Sequence, residues 1–327
     1  MVKVWDLHCD TMYKIREAAR VGEQISFVKS GLHVNLDKMK RGDYLLQCMA
    51  CYVNLEKEED PLLACLELAD IFYRITEQYP QDVMQVKSRE DIVSLEQSGR
   101  IGLMLTVEEG GVCKDSIAVL RDLYRLGARM MTFTWNYENG LGYPNGFSDP
   151  AHGSAGGYGL KAKGFEFLEE MERLHMIPDV SHLSDQGILD VLRCAKRPFA
   201  ASHSNARAIC PHPRNLTDDM LRQMGNKGCL VGLNYYGTFL DPAKADTPDA
   251  PSRLDDMVRH ARHIVDVGGE ELLGLGSDFD GIDGELEISG ADEMPKLAEA
   301  LKQAGFTERQ IEKIFYGNAL RFFKDAL

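Results

Sequence analysis

Eight short apolar runs, separated by stretches of helical period, constrain this chain more than any other feature. They are Val2 to Leu7, Tyr44 to Val53, Ile101 to Val107, Arg129 to Thr134, Met176 to Val180, Phe199 to Ser202, Cys229 to Leu233 and Leu272 to Gly276. Unbroken apolar character of this kind marks strands buried on both faces, as in a parallel sheet. Between the runs fall residues such as Leu62, Leu66, Ala69 and Tyr73, or Ile117, Leu120, Leu123 and Leu126, whose spacing gathers them on one side of a helix. Strand and helix alternate throughout, which predicts an α/β chain folded as a (β/α)8 TIM-type barrel. A doubly wound sheet is the competitor. It calls for a glycine-rich turn after the first strand, whereas Leu7 is followed by His8-Cys9-Asp10-Thr11.

No internal repeat or flexible linker divides the 327 residues, so the expectation is a single catalytic barrel spanning 1–327. The segment 307–327 reads as two C-terminal helices that close the barrel exterior, the first opened by the capping box Thr307-Glu308-Arg309-Gln310. The 37 Lys and Arg against 51 Asp and Glu give a formal charge of -14, which argues against nucleic acid or an anionic membrane as partner and for a small molecule. The N-terminal residues enter a strand pattern at once and show no signal peptide, and no stretch approaches a spanning helix. Eight scattered cysteines fit reduced thiols in a cytoplasmic protein, with Cys48 and Cys51 on opposite faces of one strand.

In a barrel the C-terminal ends of all strands surround one mouth, so the polar residues there are the informative ones. The first run ends in His8-x-Asp10, a spacing that sets an imidazole and a carboxylate on the same side of an extended chain. The third ends in Glu108-Glu109-Gly110-Gly111, the fifth in Asp179-Val180-Ser181-His182 and the sixth in Ser202-His203-Ser204. A lone strand-end histidine is usually structural, but four strands ending in ligand types form a joint pattern. Three histidines with two carboxylates suit a borderline divalent ion such as zinc and exclude an all-oxygen magnesium or calcium cage. Five ligands suit two ions sharing a carboxylate and a water or hydroxide. The last run ends in Ser277-Asp278-Phe279-Asp280, adding a carboxylate able to move protons. Three long irregular segments, Glu138 to Gly159, Gly237 to Ser252 and Gly281 to Pro295, each follow a strand and belong to this same face.

On these residues the sequence resembles the membrane dipeptidase (renal dipeptidase) family, in family order and from the first strand to Gly317-Asn318-Ala319-Leu320-Arg321. The resemblance implies that His8 and Asp10 bind one zinc ion and His182 and His203 a second, with Glu109 bridging them. It leaves Glu108 behind the metals or at the surface. It gives Asp278 the proton-shuttling role and Arg214 the grip on the substrate's terminal carboxylate, a task suited to the planar guanidinium fork. The implied reaction is hydrolysis of a dipeptide by a metal-bridged hydroxide, with tolerance of a C-terminal D-residue and a homodimeric protein.

One position departs from the family pattern. The substrate-contacting histidine after the fourth strand falls on Trp135, whose indole walls a pocket and donates one hydrogen bond but accepts no proton. His152 is the alternative source of an imidazole. His33, His175, His212, His260 and His263 read as surface or cap residues. Two other functions compete: hydrolysis of a lactone, phosphoester or cyclic amide at the same paired ions, and a binding protein that keeps the fold without turnover. Arg214 separates the first from a dipeptidase, since a carboxylate clamp favours substrates with a free C-terminus over neutral lactones.

Overall fold

The computed structural model describes residues 2–145, 158–245 and 247–327. Its strands are β1 (Val4–Asp6), β2 (Tyr44–Tyr52), β3 (Val83–Gln85), β4 (Ile101–Glu108), β5 (Met130–Thr132), β6 (Ile177–Asp179), β7 (Ala200–Ala201), β8 (Leu230–Leu233) and β9 (Leu273–Leu275). All pairings among them are parallel. β2 pairs with β4 in unbroken register from Leu46↔Gly102 to Tyr52↔Glu108, and β9 closes back onto β1. Eight strands thus form a closed barrel, the (β/α)8 architecture. β3, absent from the sequence reading, pairs only with the first half of β4, at Ile101 to Leu103, while β5 takes up the second half at Thr106 and Val107.

The alternation along β2 and β4 divides the core in two. Leu46, Cys48, Met104, Trp5, Met130, Ile177, Ala200 and Leu230 form one buried cluster, drawn from seven of the barrel strands. Met49, Cys51, Leu103, Leu105 and Val107 belong to the larger cluster shared with the surrounding helices. Cys48 and Cys51 therefore do lie on opposite faces, and neither is paired in a disulfide.

The C-terminal segment differs from the expected pair of exterior helices. Thr307 caps it with the reciprocal bonds to Gln310 foreseen from the motif. Gly317 then keeps right-handed helical geometry, so the chain runs through a π-helical turn at Lys313–Gly317 directly into Asn318–Ala326. Phe322 and Phe323 join the barrel-interior cluster, and Phe323 stacks on Trp5 with ring centroids 5.1 Å apart. The helix therefore closes the barrel floor. Phe323→Ala would open a cavity under Trp5 at a cost of about 3–5 kcal/mol. The expected result is a clear fall in the denaturant midpoint with the active-site face intact; an unchanged midpoint would remove the helix from the core.

Candidate metal centre and its cleft

The ends of β1 and β9 continue side by side past the last sheet residues. Leu7 N–H donates to Leu275 O at 2.9 Å, Asp278 N–H to His8 O at 3.2 Å and Asp10 N–H to Phe279 O at 2.9 Å. This zipped extension delivers His8, Asp10 and Asp278 to the mouth together. A Cβ on Gly281 would stand 2.1 Å from Asp10 Oδ2, so any side chain there would displace the Asp10 carboxylate. Below it, Asp6 Oδ1 accepts from Ser277 N–H at 2.9 Å and Oδ2 from Ser277 Oγ at 2.5 Å, fixing the two ends in register. Nothing in the site motifs drew attention to Asp6; its one signal is a carboxylate inside an otherwise apolar strand.

β4 ends on Glu108, and here the structure corrects the sequence reading. Glu108 carries the same parity as Met104 and Thr106, the interior face, and its carboxylate enters the cluster. Glu109 does not. Its backbone sits at φ 109°, a conformation costly to a residue with a side chain. Its fully buried carboxylate turns away to accept Trp135 N–H at 2.9 Å, Gly111 N–H at 2.6 Å and Asn139 Nδ2 at 2.5 Å. Burial pushes the Glu109 carboxyl up to about 7, against these three donors. Gly110 packs against β5's end, where a Cβ would stand 2.8 Å from Phe133 O. Glu109 is thus the clasp that turns the chain, and Glu108 the group presented.

Around Glu108 the donors fall into two triads, each with its ligand atoms within 4.8 Å of one another: His8, Asp10 and Glu108, and Glu108, His182 and His203. His8 Nε2 lies 3.4 Å from Asp10 Oδ2 and 3.3 Å from Glu108 Oε2. On the other side His182 Nε2 is 3.0 Å and His203 Nε2 3.5 Å from Glu108 Oε1, and the two imidazole nitrogens are 2.9 Å apart. Four tetrahedral ligands at zinc's ~2.1 Å would stand about 3.4 Å from each other. The spacings match. His8 Nε2 and Asp10 Oδ1 are buried without a hydrogen-bond partner, which a protein rarely tolerates unless something else binds there. Asp278 stands at the edge, Oδ1 3.8 Å from His8 Nε2, while its Oδ2 accepts from Asn234 Nδ2 at 2.9 Å.

The electrostatics point the same way. Burial opposes a charge on His8, yet Glu108 and Asp10 drive its pKa well above the ordinary value. Burial lifts Glu108 to about 7, with His8 pulling against it, and also raises Asp278. Burial, with the charges of Arg214 and His8 adding to it, holds His182 and His203 well below the ordinary range, so both imidazoles are neutral. A buried carboxylate that holds its proton more tightly than usual, beside two neutral imidazoles, is the kind of group from which a divalent cation displaces the proton. The residues fit a pair of borderline divalent ions sharing Glu108.

A cleft of about 420 Å³ opens over the cluster, lined on one side by Tyr13, Tyr52 and Trp135 and on the other by Tyr236, Phe239 and Arg214. Trp135 packs edge to face with Tyr52 at 5.0 Å and Tyr137 at 5.4 Å. Arg214 is 4% exposed. Its Nη2 donates to His203 O at 3.3 Å, while Nε and Nη1 have no partner. Burial lowers its pKa only to about 10, with Asp278 opposing, so it remains a cation. His152 lies outside the described residues. Of the other histidines, His175 caps a helix as read, but His260 and His212 are buried: His260 Nδ1 accepts from Ala206 N–H at 3.1 Å, and its Nε2 lies 3.0 Å from Leu240 O. His33 lies behind the mouth, its Nδ1 accepting from Asp280 N–H at 3.0 Å.

The sequence profile of the membrane dipeptidase family (peptidase family M19) matches residues 1–327. An uncharacterized dipeptidase of Schizosaccharomyces pombe is 32% identical, covering 98% of this chain and 80% of its own length. The crystal structure of dipeptidase AC, a metallopeptidase, superposes with TM-score 0.92 at 26% identity, over 99% of this chain and 98% of that one. A metallopeptidase from Rhodobacter sphaeroides, liganded with a phosphinate mimic of the dipeptide L-Ala-D-Ala, gives TM-score 0.90 at 24% identity over 100% and 99% of the two chains, a likeness of fold. Among the described residues no helix is long and apolar enough to cross a membrane. With barrel, ligand-bearing mouth and end-to-end profile in agreement, the chain belongs to the membrane dipeptidase family, peptidase family M19, and is a metallo-dipeptidase.

Proposed function

We propose that the protein hydrolyses dipeptides with a free C-terminus, using two zinc ions held by His8, Asp10, Glu108, His182 and His203. Glu108 takes the bridging role that the motif reading gave to Glu109. The observation that carries the substrate class is Arg214: a buried cation with two unpartnered nitrogens beside the cluster. Leaving N–H donors of a buried charge unmet is costly, and a substrate carboxylate is the group that meets a guanidinium fork with parallel hydrogen bonds. When bound, the ion pair would acidify a shared water and polarise the scissile carbonyl.

The chain's own residues do the rest. Asp278, held by Asn234 at the edge of the cluster, takes a proton from the attacking water and returns it to the leaving amine. Trp135 walls the cleft beside Tyr52 and keeps water from the reacting bond. Acceptance of a D-residue on the carboxyl side and a homodimeric state follow the family resemblance, a cytoplasmic location follows the scattered free cysteines, and all three belong to this proposal. The alternative, hydrolysis of neutral lactones or cyclic amides, leaves the Arg214 fork without a partner.

Arg214→Ala separates the two. Loss of a charge-assisted pair worth about 1.5–3 kcal/mol should lower kcat/KM on L,L- and L,D-dipeptides by roughly 10- to 100-fold, mainly through KM. Dipeptide amides, which lack the carboxylate, should be poor substrates for the parent and change little in the variant. Undiminished dipeptide cleavage by Arg214→Ala, or a parent that turns over neutral lactones and no dipeptide, would overturn the assignment.

A further inference from the structure

The hydrogen bonds behind His203 can be directed atom by atom. Asp179, the last residue of β6, is buried, and every group facing its carboxylate is a donor: Ser181 N–H and Ser202 N–H reach Oδ1, each at 3.0 Å, and Ser202 Oγ reaches Oδ2 at 2.5 Å. An acceptor-only carboxylate obliges Ser202 to spend its single proton on Asp179. Ser202 Oγ also lies 2.7 Å from His203 Nδ1 and 3.3 Å from Ser181 Oγ, so it can only accept from both. Ser181 Oγ is free to donate because it accepts from His203 N–H at 3.1 Å. Every donor is used once, with Asp179 Oδ1 and Ser202 Oγ each accepting twice, and the proton on the His203 ring falls on Nδ1.

We propose that Asp179 is a positioning residue that, through Ser202, locks His203 in the Nδ1–H tautomer and leaves Nε2 bare toward Glu108 and His182. The proposal rests on His203 being a metal ligand, as read above. It explains how two Nε2 atoms come to face each other 2.9 Å apart: each ring spends its proton on its outer side, His182 Nδ1 facing Asn136 Oδ1 at 2.7 Å. A wrong tautomer at His203 would aim an N–H at the ion's position.

Asp179→Asn tests this, since the amide oxygen can keep both backbone bonds while its NH2 faces Ser202 and reverses the hydroxyl. Ser202 then donates to Nδ1, and His203 must carry its proton on Nε2. In the metal-free variant, 15N–1H spectra of histidine-labelled protein should show His203 changed from the Nδ1–H to the Nε2–H pattern. Zinc titration should show one of the two ions bound 10- to 100-fold more weakly, in the range typical for loss of such a partner. If Asp179→Asn does not fold, Ser202→Ala serves: Nε2–H should appear in its spectrum, while Ser202→Thr keeps the parent pattern and affinity. Retention of the Nδ1–H tautomer alone in Asp179→Asn, or in Ser202→Ala, would overturn the proposal. Fewer than two zinc ions in the parent would instead count against the metal reading, because the spectrum is recorded without metal.

Discussion

Glu108→Gln is expected to abolish dipeptide hydrolysis while leaving the barrel folded. The two carboxylate oxygens serve different triads, Oε2 beside His8 and Oε1 beside His182 and His203. Glutamine keeps one acceptor and turns an NH2 toward the other triad, so at least one ion loses its anionic donor and the pair loses its bridge. Metal-ion catalysis contributes several kcal/mol of transition-state stabilisation, so kcat/KM should fall on the order of a thousandfold or more. Metal analysis of the purified variant should show the loss directly. Glu109→Gln makes the opposite contrast. It should keep both ions and lose about 1–3 kcal/mol of stability, because an NH2 would face the N–H donors that the carboxylate now satisfies. If Glu109→Gln loses its metal and Glu108→Gln keeps it, the geometric correction is wrong.

Asp278→Asn carries the second large effect. Asparagine can still accept from Asn234 Nδ2 and preserve the position of the side chain, but it cannot take up and return a proton. A general acid–base group is worth about 10²–10⁴ in rate, and that fall should appear in kcat with both ions retained and KM little changed. A variant that keeps two ions and most of its kcat would transfer the proton-moving role elsewhere. Asp278 is one of three site residues held at positive φ, with His182 at 68° and Glu109 at 109°. Strain of this kind costs about 1–3 kcal/mol per residue and persists where the surroundings enforce it.

Those φ values also show where the sequence stopped being informative. The eight barrel strands were legible because a strand buried on both faces has no polar alternation to confuse with a helix. β3 was not: Val83–Gln85 is short, only half of one edge of β4 receives it, and Met84 and Gln85 are only partly buried. His8, Asp10, His182 and His203 were readable from their strand-end positions, and the structure brings all four together. Motif matching points to Glu109 and the geometry to Glu108, because a motif stops short of register. The period-2 parity running through Met104 and Thr106 to Glu108 was present in the sequence and points inward. The roles of the groups behind the proposed ligands, Asp6, Asp179 and Ser202, were hidden for a different reason. Their meaning depends on which strands are neighbours around the closed barrel, and no local pattern states that. The same holds for Phe322 and Phe323, whose amphipathic helix could have covered an outer face as readily as the floor.

The most direct test of the whole account is zinc titration of the chelated protein, counting bound ions per chain while following release of free amino acids from a dipeptide. Two ions per chain, with cleavage restored as the pair fills and lost again in Glu108→Gln, is the expected result. A folded protein that takes up fewer than two ions, or that fills with two and cleaves no dipeptide, would contradict it.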